Sequence, residues 1–78
     1  MPRHRRPQLR NVLAANVRRE RLKRDWSQEA LGGKAGVTQT YISQLESAHY
    51  AASVDVVEAL AKAFGLDPIA LLSKSTGD

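Results

Sequence analysis

The chain is 78 residues long, contains no cysteine, and carries 12 Lys/Arg against 8 Asp/Glu for a net charge of +4. That length predicts one module with one modest core and no second sensing or catalytic domain beside it. The absence of cysteine excludes a disulfide framework and a thiolate zinc site, and a reducing cytoplasm is the expected location.

The net charge hides a division along the chain. Residues 1–34 hold ten Lys/Arg against Glu20, Asp25 and Glu29, giving +7, whereas residues 35–78 hold Lys62 and Lys74 against five acids, giving −3. A basic half suits a polyanionic partner, although a solvated basic tail gives the same arithmetic. The opening MPRHRRPQLR is basic, but Asn11, Asn16 and the run from Arg18 to Arg21 interrupt any apolar stretch after it. Neither a signal peptide nor a membrane partner is expected.

In chain order, Leu9, Leu13, Val17 and roughly Leu22 recur near the helical period and predict a first helix over 9–24. Asp25 tolerates the left-handed conformation and serves as its stop. Ser27 is the N-cap of a second helix opening at Gln28, with a Trp26/Leu31 hydrophobic staple and an end crowded by Gly32, Gly33 and Gly36. Thr38 repeats the device with Val37 and Ile42, and its helix runs to about Ser47. A loop follows from His49 to Ala52. Ser53 caps a fourth helix with Val57, Leu60, Ala61 and Phe64 inward and Gly65 as its stop. Asp67 and Pro68 restart the chain into a fifth helix through Leu72, closed by a Leu66/Leu71 staple. The expectation is an all-α, five-helix domain over 9–72, with a flexible basic arm at 1–8 and a frayed polar tail at 73–78.

Two short helices joined by a tight glycine-containing turn can hold one helix across a phosphate backbone and present the next to a major groove. The segment SQEALGGKAGVTQTYISQLE has this form, with Gln28 opening one helix, Leu31 in its core face, Gly36 in the turn, Val37 before the cap, and Ile42, Leu45 and Glu46 in the next. With VVEALAKAFGLDPIALL behind it, the sequence resembles the lambda-repressor/Cro-like helix-turn-helix family, which includes restriction-modification controller proteins. The resemblance runs from about Leu13 to Leu72. Three positions depart from the family pattern: Gly32 stands for a usual alanine, Asp25 for a glycine and Trp26 for a smaller aliphatic residue.

The resemblance implies a transcription regulator bound to double-stranded DNA. On the third helix Val37, Ile42 and Leu45 should face the core, leaving Gln39, Thr40, Ser43 and Gln44 for base edges; outside the motif this would read as an ordinary polar face. Gln28, at the positive end of the second helix, suits a phosphate. Ser47, His49 and Tyr50 fall where the family approaches the backbone, and Tyr41 either anchors a phosphate or covers the core edge. Arg3, Arg5 and Arg6 form an arm that displaces counterions or enters a groove. Arg21 and Glu46 match a structural ion pair of the family.

One recognition helix reads few base pairs, so a homodimer on a palindromic site is expected. Val54, Val56, Leu66, Ile69 and Leu72, more apolar than one core requires, are the expected interface. The rival reading is an antitoxin-like protein-binding module, for which no long partner-wrapping segment is present. An enzyme is not expected, because no nucleophile–base–orienter set or phosphate loop occurs. With His4 and His49 alone, neither metal nor cofactor is expected, and no small-molecule effector.

Overall fold

The computed structural model describes residues 8–74, which form five helices and, among those residues, no strand. They are α1 (Leu9–Lys23), α2 (Gln28–Ala35), α3 (Gln39–Glu46), α4 (Val54–Phe64) and α5 (Pro68–Leu72). Each start after the first is set by a side-chain cap: the N–H groups of Ala30, Tyr41, Val56 and Ile69 donate to Ser27, Thr38, Ser53 and Asp67. The stops of α1 and α3 use left-handed residues that are not glycine. Asp25 has φ 57°, with its own N–H and that of Trp26 donating to Leu22 and Arg21. Ala48 has φ 62° and does the same with His49, onto Leu45 and Gln44. Both are Schellman closures, in which two terminal carbonyls find donors.

The core is Leu13, Val17, Leu31, Ile42, Leu45, Val57, Leu60, Ala61, Phe64 and Leu71, drawn from all five helices. Leu22 does not belong to it, being 50% exposed, and neither does Leu9 at 58%. At 100° per residue the inward line after Val17 continues through Glu20 and Arg21, not Leu22, so two charged residues hold positions that an apolar pattern cannot reveal. Val37 is half-buried at the core edge.

Asn16, an interruption of apolar sequence, is buried, and both hydrogens of its amide are used. It donates to the carbonyls of Leu71 at 2.8 Å and Ser73 at 2.9 Å, tying the end of α5 to the middle of α1. Position 73, the start of the expected tail, is thereby held at its carbonyl.

The α2–α3 turn depends on Gly32. A Cβ there would lie 2.6 Å from the Val37 carbonyl oxygen, a backbone atom that cannot step aside alone. The same turn needs φ 78° at Gly36, where glycine carries no steric penalty. Gly32 therefore answers a close approach that outweighs its poor helix propensity of about 1 kcal/mol.

Candidate nucleic-acid interface

The α3 helix is seated by Ile42 and Leu45, 0% and 1% exposed, which leaves its other side outward. Gln39, Thr40, Ser43 and Ser47 are exposed along that side, and Gln44 is half-buried beside them. Spaced by three and four residues, these side chains form one polar stripe. The Ser47 hydroxyl lies 3.1 Å from the carbonyl oxygens of Ser43 and Gln44, to which it donates, and 2.8 Å from His49 Nδ1. It is thus engaged within the end of its own helix. Tyr41 is half-buried against the core, its ring 5.7 Å from that of exposed Tyr50.

Arg21 and Glu46 are joined by two parallel bonds, Nε to Oε2 at 2.7 Å and Nη2 to Oε1 at 2.9 Å. Arg21 also donates to the Trp26 carbonyl at 2.9 Å. The Glu46 side chain is 3% exposed and that of Arg21 11%. The carboxylate's hydrogen bond raises the already high pKa of the guanidinium further. Removing one partner from such a pair leaves a buried charge uncompensated, at a cost of about 3–5 kcal/mol. A bond that the sequence did not suggest joins α2 to this pair: Gln28 Nε2 donates to Glu46 Oε1 at 3.2 Å.

The basic half of the sequence is only partly surface. Arg24 is consumed internally, donating to the Glu20 carboxylate and carbonyl, each at 2.8 Å, and to the Phe64 carbonyl at 2.8 Å. Its guanidinium lies 4.9 Å from the Phe64 ring centroid, and Trp26 stacks on the same Phe64 at 5.8 Å. Lys34 lies 4.6 Å from the Trp26 ring. Trp26 is therefore the centre of an aromatic–cation stack joining α2 to α4. The i, i+4 spacing of Glu20 and Arg24 is a sequence signal for the Arg24 part of this arrangement alone. Arg10, Arg18, Arg19 and Lys23 remain exposed on α1. Arg3, Arg5 and Arg6 lie outside the described residues.

On another face, α1, the α3–α4 loop, α4 and α5 enclose an apolar groove of about 310 Å³ lined by Leu9, Leu13, Ala52, Val54 and Leu72. Val54 is 77% exposed; Ile69, elsewhere on α5, is 70% exposed. Val56, Leu66 and Leu72 are half-buried against the chain's own core. Among the described residues no group of His, Asp and Glu is placed to hold a metal ion, and no helix is long and apolar enough to cross a membrane.

Two capped helices locked at a glycine turn, the second seated by apolar side chains and outward-facing with polar ones, define a helix-turn-helix protein. The helix-turn-helix family model matches residues 17–71. The chain belongs to that family, and its fold is that of the lambda-repressor-like DNA-binding transcription regulators. A hypothetical transcription factor of Neisseria meningitidis serogroup B is 38% identical over 64 residues, covering 82% of this chain. The chain spans 60% of the length of that relative. The crystal structure of a hypothetical transcription factor from Neisseria superposes with a TM-score of 0.83 at 33% identity, over 95% of this chain and 87% of that one. The P22 c2 repressor in complex with a synthetic operator is 32% identical with a TM-score of 0.77, over 88% of this chain and all of the other. A restriction-modification controller protein from Aeromonas hydrophila shares the fold at 24% identity, with a TM-score of 0.76 over 80% of this chain and 94% of that one.

Proposed function

We propose that this chain regulates transcription by binding a palindromic operator in double-stranded DNA as a homodimer, with α3 in the major groove. The observation that carries this reading is the polar stripe of α3, set outward by Ile42 and Leu45 and held against α1 and α2 by the Arg21–Glu46–Gln28 bonds. Gln39 and Gln44 have the carboxamide that pairs with adenine N6 and N7, while Thr40 and Ser43 supply hydroxyls for several base edges. Gln28 at the start of α2, Tyr41 in the first turn of α3, and Ser47, His49 and Tyr50 beyond its end contact phosphate. A second copy packs on the α4–α5 side, a reading supported by the exposure of two apolar side chains there, Val54 and Ile69. The repressor at 32% identity is itself found on an operator, which favours DNA over a protein partner.

Affinities of Gln39→Ala and Gln28→Ala on matched and mutated duplexes test the division of roles. Gln39→Ala should lose affinity for the matched site alone, by about 1–3 kcal/mol, and relax discrimination there. Gln28→Ala should weaken all sequences alike. An equal loss on every sequence for Gln39→Ala removes it from base reading.

A further inference from the structure

Glu46 ends the helix that carries the polar stripe, yet its side chain is 3% exposed and points back into the domain. Its oxygens receive donors from both preceding helices, Arg21 of α1 and Gln28 of α2. A carboxylate paired with a guanidinium accepts and cannot donate. The Gln28 carboxamide has a donor end and an acceptor end, and only the donor end can face such a group. Turned the other way, it would set oxygen against oxygen. Glu46 therefore fixes both the place and the flip of the Gln28 amide. One N–H of Nε2 is used on Glu46 and the second is left over. It lies at the first turn of α2, where the backbone N–H groups of Gln28 and Glu29 also fall outside the helix's own bonding and the N–H of Ala30 is taken by Ser27.

We infer that Glu46 is a positioning residue for DNA binding: it holds the Gln28 amide with its free N–H available to a backbone phosphate, while itself remaining off the DNA. The inference rests on the reading of Gln28 as a phosphate contact. Because Glu46 is also the last residue of α3, one carboxylate sets the register between the phosphate clamp on α2 and the base-reading stripe that begins at Gln39. A regulator whose phosphate contact is tied to its recognition helix in this way reads base edges from a fixed height above the backbone.

The test is a double-mutant cycle on a duplex selected for this protein, using Gln28→Ala, Glu46→Gln and both together, at a temperature where circular dichroism shows every variant folded. A glutamine at position 46 can accept or donate, so it no longer chooses the flip of Gln28. Each single variant should bind several-fold to about tenfold more weakly, and the double variant no more weakly than either single one. A methylphosphonate scan of the duplex should then show one phosphate whose neutralisation weakens the wild type and neither variant. Should Glu46→Gln not fold, Glu46→Asp carries the cycle, since it keeps a charge for Arg21 while drawing its oxygen away from Gln28. Losses that multiply in the double variant, or a Glu46 variant that binds as the wild type does, overturn the positioning role and leave the phosphate reading standing. A Gln28→Ala variant with undiminished affinity overturns the phosphate reading and the inference with it.

Discussion

Ala48 closes α3 with φ 62°, a conformation that costs a residue with a Cβ about 1–2 kcal/mol. Its N–H and that of His49 donate to the last turn, so the geometry is imposed by the closure and not by the side chain. Ala48→Gly should therefore stabilise the domain, by about 0.5–1 kcal/mol once the greater freedom of glycine in the unfolded chain is subtracted, and raise the melting temperature by a few degrees. Glu20 is another residue whose environment sets its behaviour. The hydrogen bond from Arg24, helped by the charges of Lys23, Arg24 and Arg19, holds its carboxyl below the ordinary value of 4.5 against the opposing effect of burial. A folded-state pKa below the unfolded one means that its contribution is complete above the unfolded value and fades as pH falls through the folded one. Denaturant titrations should show stability declining as pH falls below about 4.5, with a shallower decline in Glu20→Gln. An identical decline in the variant would assign the acid sensitivity to other carboxyls.

At the scale of the helices, the caps made the sequence readable. Ser27, Thr38, Ser53 and Asp67 each accept the hydrogen bond that their identity suggests, so the starts of α2 to α5 fall where the sequence placed them. Asp25 adopts the left-handed stop expected of it. What could not be read was the polar interior of α1. Apolar periodicity counts Leu22 inward because it is apolar and passes over Asn16, Glu20 and Arg21, whose burial depends on partners 55, 4 and 25 residues away. Burial of such groups becomes tolerable only when each finds its partner; the Glu20–Arg24 pair shows as an i, i+4 spacing, but the partners of Asn16 and Arg21 lie on other helices and leave no trace in local spacing. The Arg21–Glu46 pair is legible only through the family resemblance, and its link to Gln28 carries no sequence signal. Asn16 offers the clearest test at this scale. Asn16→Ala removes two donors from the end of α5 and should cost about 1–3 kcal/mol, with the amides of α5 losing hydrogen-exchange protection before those of α4. Uniform loss of protection would show that α5 does not depend on this tether.

For the whole molecule, the charge division visible in the sequence becomes a different surface once the chain folds. Arg21 and Arg24 are spent on internal partners, and the exposed positive charge of α1 rests on Arg10, Arg18, Arg19 and Lys23. The apolar side is also redistributed: of the five residues expected at a dimer interface, Val54 and Ile69 are exposed, while Val56, Leu66 and Leu72 serve the monomer's own core in part. Ile69→Glu should thus leave the stability of the monomer within about 0.5 kcal/mol while sedimentation velocity shows the dimer dissociating at concentrations where the wild type is paired. An unchanged sedimentation coefficient would contradict a dimer formed through Ile69.

The central claim is that two copies of α3 read two halves of one DNA site, and selection from a random duplex pool at about physiological salt tests it directly, because nonspecific electrostatic binding is suppressed there. Two copies of α3 about 34 Å from one another should enrich an inverted repeat whose half-sites lie about 10 base pairs apart. Enrichment of a single unrepeated half-site would contradict the dimer, and a pool left without any enriched sequence would contradict sequence-specific DNA reading by this chain.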